Sequence, residues 1–151
     1  MRDKLKMNMM GVLGEKIFRD FAESKGAKVK TKTSMYDSEK DFTVDGYTTE
    51  VKTQEPYHLK NSFTVKNDQL EKCNKVDLLI FIECPSQRSN NKIVIWCYPQ
   101  NKRNWQSTIT KDGREMYYLN KNDGIKLSYI DDVHIVNEMI SFSNSTWQER
   151  A

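Results

Sequence analysis

The dipeptide Asp45-Gly46 is the feature that most restricts how this chain can fold. It lies between two short segments in which apolar and polar residues alternate, 41–44 and 47–54. Asp-Gly between alternating segments predicts a β-hairpin with a two-residue turn. Because such a turn fixes the register, we expect Asp41 to lie opposite Glu50.

The two faces of this predicted hairpin differ in chemistry. Residues two apart along a strand, and residues directly opposite each other, point to the same side. One face would carry Asp41, Glu50, Lys52 and Gln54, and the other Phe42, Val44, Tyr47 and Val51. Two opposed carboxylates repel, so folding alone gives no reason for the acidic pair. A hard divalent cation such as magnesium would remove the conflict; the alternative is an edge hairpin with a solvated polar face.

The composition is typical of an intracellular globular protein. A chain of 151 residues, 37% hydrophobic and 30% charged, suffices for one domain with its own core. No apolar run approaches the roughly 20 residues of a membrane-spanning helix, and the N-terminal region lacks the apolar segment of a secretory signal. We therefore expect a cytoplasmic protein without a membrane partner. The net charge of +3 is a weak bias towards anionic partners.

The cysteines and histidines do not indicate a metal centre of their own. Cys73, Cys84 and Cys97 are widely spaced in apolar segments, which predicts buried, reduced thiols rather than disulfides or a zinc site. His58 and His134 are too far apart in sequence to form a histidine cluster from neighbours.

The remaining patterns predict a mixed α/β fold, with a central mixed sheet flanked by helices. Gly11 and Gly14 lie on or near the apolar stripe of the first helix, which indicates close approach to the sheet. The segment from Tyr57 to Val65 is basic and aromatic, and the tail from Ser141 is polar and expected to be loose. The predicted elements are helices at 7–25, 67–75 and after Asp131-Asp132, strands at 27–33, 77–83, 92–98 and 125–130 (strand or extended), and a second hairpin around 111–113.

The hairpin motif resembles that of the PD-(D/E)xK nuclease superfamily. The resemblance rests on Asp41, on Glu50-Val-Lys52 after a short hairpin, and on Gln54. Restriction enzymes, archaeal-type Holliday-junction resolvases and some homing endonucleases belong to this superfamily. The resemblance implies a restriction-endonuclease-like core.

The match extends beyond the hairpin over residues 7 to 98. It includes an upstream helix with an acid, Glu15, and a downstream helix with Gln69 followed by a buried strand. Lys40 stands where the motif has proline, a position without a chemical role. Residues 99–151 do not follow the pattern and are interpreted as a C-terminal extension, of unclear role, within a single nuclease-like domain 1–151.

The resemblance implies a metal site. Asp41 and Glu50, with the backbone carbonyl of Val51, would hold a magnesium ion, and manganese is expected to substitute. Magnesium keeps several waters and uses only one or two carboxylates, so two acids suffice.

The resemblance also implies how the other site residues act. Lys52 would position or activate the attacking water and stabilise negative charge on the phosphate, a task suited to a compact ammonium group. Gln54 and Glu15 would orient the water shell of the metal or the substrate.

Basic residues near the motif are candidates for contacts with DNA. Lys60 and Lys66 follow the motif in the basic and aromatic segment, and Lys102 and Arg103 lie in a loop with Trp105. Phosphate contacts require such cations, and bases stack on aromatic rings. A solvated basic loop with a packing tryptophan is the alternative for the second group.

The function implied by the resemblance is that of a magnesium-dependent DNA endonuclease. We expect a homing or restriction-like enzyme of a phage or mobile element, acting as a homodimer or higher homo-oligomer to cut both strands. A Holliday-junction resolvase is the alternative within the superfamily. A non-catalytic nucleic-acid-binding module on the same fold, and a structural protein with a polar edge hairpin, are alternatives from other classes.

Overall fold

The computed structural model describes residues 4–31, 42–57 and 60–150, with side chains between residues 9 and 142. The helices are α1 (Lys4–Ser24), α2 (Asn67–Lys75) and α3 (Val133–Arg150). The strands are β1 (Val29–Thr31), β2 (Phe42–Val44), β3 (Tyr47–Gln54), β4 (Ser62–Lys66), β5 (Leu78–Glu83), β6 (Ile93–Pro99), β7 (Gln106–Ile109), β8 (Glu115–Asn120) and β9 (Ile125–Ile130).

The strands form two sheets. The main sheet has the order β1-β2-β3-β5-β6-β9, in which β3 and β5 are parallel and every other pair is antiparallel. The second sheet has the antiparallel order β4-β8-β7. The prediction of a mixed α/β fold with a central mixed sheet flanked by helices is confirmed. No helix in the described part of the chain is long and apolar enough to span a membrane.

The turn that joins β2 to β3 lies at the predicted dipeptide. Asp45 and Gly46 have φ values of +50° and +85°, and two positive φ values are what a type I′ hairpin turn requires. The observed pairs include Val44 with Tyr47 and Phe42 with Thr49. The predicted register is therefore confirmed for the described pairs, and Asp41 lies outside the described residues.

Two apolar cores cover the two faces of the main sheet. On one face, α1 and α3 pack on side chains that include Ile80 and Ile82. On the other, α2 and the second sheet pack on Leu79 and Phe81. Because β5 is covered on both sides, its continuous apolar sequence is explained, and the prediction of a fully buried central strand is confirmed.

Helix α1 approaches β3 at the contact of Gly14 with Thr53. A Cβ atom on Gly14 would lie 1.8 Å from Oγ1 of Thr53, whereas one on Gly11 would meet no atom within 4 Å. The expected close approach of this helix to the sheet is therefore confirmed at Gly14 but not at Gly11.

The C-terminal third belongs to the same layers as the rest of the domain. The predicted second hairpin is present as β7 and β8, and β8 pairs with β4, a strand that was not predicted. Strand β9 completes the main sheet beside β6. The expectation of a loose tail after Ser141 was wrong, because α3 continues to Arg150.

Replacing Gly14 with alanine is expected to destabilise the protein by about 1–3 kcal/mol, because the new methyl group overlaps the Thr53 side chain and forces α1 away from β3. Urea unfolding followed by circular dichroism measures the change. The matched control is Gly11→Ala, which should be neutral or stabilise by up to about 1 kcal/mol through helix propensity alone. Equal effects of the two substitutions would contradict the close packing at Gly14.

Candidate functional site

The candidate site lies on the side of β3 that faces α2. Glu50, Lys52 and Gln54 are two residues apart along the strand, so they share one face, as predicted. Their partners on parallel β5 include Leu79 and Phe81, which belong to the core beneath α2 and the second sheet. The site is therefore built on a strand that is packed on both sides.

Glu50 is a buried carboxylate between two lysines. Its residue is 2% exposed. Lys52 Nζ lies 3.4 Å from Oε1, and Lys72 Nζ lies 3.4 Å from Oε2. Burying a carboxylate is costly unless cations or hydrogen bonds compensate the loss of water, and two ammonium groups lie beside this one.

Helix α2 covers the side of β3 on which Glu50 and Lys52 lie. The Gln69 side-chain carbonyl accepts a hydrogen bond of 3.2 Å from Lys52 Nζ, and Lys72 lies one turn further along the helix. Cys73 follows Lys72 and is fully buried. Burial raises the pKa of its thiol to about 11, against the opposite influence of Lys52, so Cys73 is a protonated wall residue rather than a nucleophile.

Sequence reasoning did not assign Lys72 to the site. The available signal was the spacing of Gln69 and Lys72, three residues apart and thus neighbours on one helix face. That signal becomes informative only once the helix is known to lie over Glu50.

The loop after β6 fixes the C-terminal end of α2. Arg103 donates from Nη1 to the carbonyl oxygens of Cys73 and Asn74 at 3.4 and 3.1 Å, from Nη2 to that of Asp77 at 3.1 Å, and from Nε to that of Tyr98 at 2.9 Å. Gln100 donates to the carbonyl oxygen of Asn74 at 2.9 Å. A cation that satisfies the last carbonyls of a helix is also favoured by the helix dipole. The loop therefore holds the helix that carries Gln69 and Lys72.

Gln54 connects the two sheets. Its side-chain nitrogen donates to the carbonyl oxygen of Thr64 at 3.0 Å, and its side-chain oxygen accepts from the Thr64 N–H at 2.8 Å. Both polar atoms of this amide are thus engaged with the backbone of β4. The contact gives Gln54 a structural role beside the orienting role implied by the resemblance, which stays a prediction.

The structure gives less information on the other predicted site residues, Asp41, Val51 and Glu15. Asp41 lies outside the described residues. Val51 lies between Glu50 and Lys52 and pairs with Ile80. Glu15 is half-buried and follows Gly14, which contacts the face of β3 opposite to Lys52. The participation of Glu15 stays a prediction.

The chemistry of the site is compatible with a divalent cation at Glu50. Within the described ranges, no cluster of three or more histidine, cysteine, aspartate or glutamate side chains is placed to hold a metal ion. One carboxylate with water ligands is within the coordination habits of magnesium. Glu50 can therefore serve as one ligand if the ammonium groups beside its two oxygens move away to make room for the ion.

The four basic residues predicted to contact DNA lie in two places. Lys60 and Lys66 are exposed near the second sheet, and Lys60 Nζ lies 3.2 Å from the Tyr118 hydroxyl and 4.5 Å from its ring centroid. Lys102 is exposed in the short turn after β6. The Arg103 guanidinium donates to backbone carbonyls at the end of α2 and after it, which gives it a structural role; its contact with DNA stays a prediction.

A second buried carboxylate, Glu83, is explained by folding alone. Glu83 is 1% exposed. Its Oε1 accepts a hydrogen bond of 2.9 Å from the Trp96 indole, and its Oε2 lies 3.1 Å from Lys121 Nζ. This pair anchors the turn after β8 to the main sheet.

Comparison of the chain with protein-family models, with curated proteins and with solved structures gave no match. The case for function therefore depends on the geometry of the site and on the resemblance of the motif.

Replacing Gln54 with glutamate is expected to destabilise the protein by about 1–3 kcal/mol. The glutamate carboxylate cannot donate a hydrogen bond to the Thr64 carbonyl, so that this carbonyl oxygen would face a carboxylate oxygen, which is also an acceptor. Chemical denaturation measures the effect. Gln87→Glu, an exposed position, is the control and should change stability by less than about 0.5 kcal/mol. Unchanged stability of the Gln54 variant with loss of activity would show that this amide acts on substrate rather than on β4.

Proposed function

We propose that this chain is a magnesium-dependent DNA endonuclease of the PD-(D/E)xK type. The observation that carries the proposal is the placement of Glu50 and Lys52 on the same side of β3, with carboxylate oxygen and ammonium nitrogen 3.4 Å apart beneath α2. This is the side-chain pair and spacing that the motif requires. The confirmed hairpin register supports it, because one further pair in the same register would place Asp41 opposite Glu50.

The order of elements supports a restriction-endonuclease-like core. Helix α1 precedes the antiparallel strands β1, β2 and β3, and α2 lies in the crossover to β5, which is parallel to β3. The motif lies on β3, at the centre of this unit. Strand β4 is inserted between β3 and α2 in the chain, but it belongs to the second sheet and leaves the order β1-β2-β3-β5 of the main sheet intact.

The chemistry follows from the residues of the chain. When bound, magnesium would polarise a phosphoryl oxygen and supply an activated water. Glu50 would be one of its ligands, with the Val51 carbonyl and Asp41 as the others that the motif implies. Lys52 carries the charge that can stabilise a developing phosphate dianion, and Gln69 fixes the direction of its ammonium group.

The outer face of the second sheet supports binding of a polyanion. Alternate positions on the three strands point away from the core, and their described residues include no aspartate or glutamate. They are Ser62, Thr64, Lys66, Gln106, Thr108, Met116, Tyr118 and Asn120. With Lys60 over the Tyr118 ring, this face offers cations for phosphates and an aromatic ring for a base. Lys66 immediately precedes α2, so the face adjoins the helix that covers Glu50.

A non-catalytic nucleic-acid-binding module is the second candidate. One observation favours it, namely that the two lysines already compensate the charge of Glu50. In that case Glu50, Lys52 and Lys72 would only hold α2 on β3, and the outer face of the second sheet would bind DNA without cleavage.

Glu50→Gln and Lys52→Met are each expected to lower magnesium-dependent cleavage of supercoiled plasmid by about a hundredfold or more, because the first removes a charged ligand of the metal and the second removes the cation that stabilises charge on the phosphate. Gel analysis of nicked and linear products measures the rates. Lys75→Met is the matched control, because Lys75 lies on the same helix as Lys72 but pairs with Glu71 on the exposed side. Circular dichroism confirms that each variant is folded.

The substrate panel distinguishes the candidates. Supercoiled duplex, a four-way junction, single-stranded DNA and RNA are each incubated with and without magnesium. Cleavage of the junction alone would identify a resolvase, and binding without cleavage in magnesium or manganese would identify the module. A homing or restriction-like enzyme acting as a homodimer is expected to linearise duplex DNA.

A further inference from the structure

Two lysines from different elements share the single carboxylate of Glu50. Lys52 comes from β3 and reaches Oε1, whereas Lys72 comes from α2 and reaches Oε2. The two lysine side chains are almost equally exposed, at 26% and 27%. Each lysine side chain is therefore partly open to solvent, whereas the Glu50 side chain between them is buried, at 3% exposure.

Helix α2 has fixed contacts besides the one between Lys72 and Glu50. Arg103 and Gln100 hold its C-terminal end, and Gln69 connects it to Lys52. Lys72 adds a second ammonium group beside the Glu50 carboxylate, and two ammonium groups at short range repel each other.

Lys72 lies where a cation bound to Glu50 would lie. A divalent ion on Oε2 and an ammonium group 3.4 Å from the same oxygen would be close like charges. Lysine has a flexible four-carbon stem and can swing its charge into solvent or onto a phosphate. The Lys72 side chain is 27% exposed, so it already borders on solvent.

We propose that Lys72 is a positioning residue that holds the Glu50 carboxylate in place of a divalent cation and is displaced when the cation binds. The inference rests on the proposed metal-dependent function and adds to it a residue that competes with the metal. Lys52, fixed by Gln69, stays at its place, and Lys72 becomes available to the phosphate backbone of the DNA.

The test is the affinity for manganese in the absence of DNA, measured by isothermal titration calorimetry. Lys72→Met should bind Mn²⁺ about tenfold more tightly than the parent protein, since one competing charge is removed. Lys72→Arg should bind it several-fold more weakly, because a guanidinium pairs with a carboxylate through two parallel hydrogen bonds. Lys75→Met, on the same helix but paired with Glu71, should leave the affinity unchanged.

Thermal unfolding of the same proteins adds a second readout. Without metal, Lys72→Met should unfold at a lower temperature than the parent, because Glu50 loses one of its counter-charges. Saturating Mn²⁺ should raise its midpoint by more than it raises that of the parent. A general packing defect would lower both midpoints without this difference.

Equal manganese affinities of the parent and Lys72→Met would overturn the inference, as would the absence of binding to both. If Lys72→Met does not fold, Lys72→Arg decides, and an affinity equal to or tighter than that of the parent counts against the inference. If Lys72→Met binds Mn²⁺ more tightly but the parent protein cleaves no DNA, the result would support competition between Lys72 and the metal at Glu50. The same result would contradict the proposal that the chain is an endonuclease.

Discussion

The structure depends on strand β3 being packed on both faces while one face holds a buried charge. On one side, α1 comes so close that Gly14 has no room for a side chain above Thr53. On the other, Glu50 is shielded beneath α2 and compensated by Lys52 and Lys72. A carboxylate buried in this way is costly unless its counter-charges are held in place. The rigid packing of β3 is what fixes this geometry.

The C-terminal third contributes to the site indirectly. The loop after β6 closes the end of α2 through Arg103 and Gln100, and Trp105 donates to the Asn74 side chain at 2.8 Å. The hairpin of β7 and β8 supports β4, which in turn accepts one hydrogen bond from Gln54 and donates another to it. These elements hold the helix and the strand between which Glu50 and Lys52 lie.

Local patterns were sufficient to predict the hairpin and much of the fold. Asp45-Gly46 fixed the turn, and the strand period then placed Glu50 and Lys52 on one side of the sheet. The continuous apolar run from Leu78 correctly indicated a strand covered on both faces. These predictions succeed because turn chemistry and side-chain alternation act between near neighbours.

The features that sequence reasoning missed depend on contacts between distant segments. Lys72 looks like an ordinary helix-surface lysine until α2 is placed over Glu50, 22 residues earlier in the chain. The basic loop predicts that Arg103 contacts DNA, and only the fold shows that its guanidinium also holds the carbonyls of α2. Strand β4 has the alternation of polar and apolar residues that is typical of a strand, Ser-Phe-Thr-Val-Lys, but it was not assigned from the sequence. Its partner β8 lies 50 to 58 residues later in the chain, so the pairing could not be predicted from local patterns.

The central claim is that Glu50, flanked by Lys52, is the ligand of a catalytic divalent cation. Its most direct test is a crystal of the protein grown with Mn²⁺, with the ion located by anomalous scattering. The account predicts a peak about 2.0–2.3 Å from a Glu50 carboxylate oxygen, a distance typical of small divalent cations, with Lys72 moved off that oxygen. A Glu50 carboxylate still paired with both lysines, and no anomalous peak beside it at saturating Mn²⁺, would contradict it.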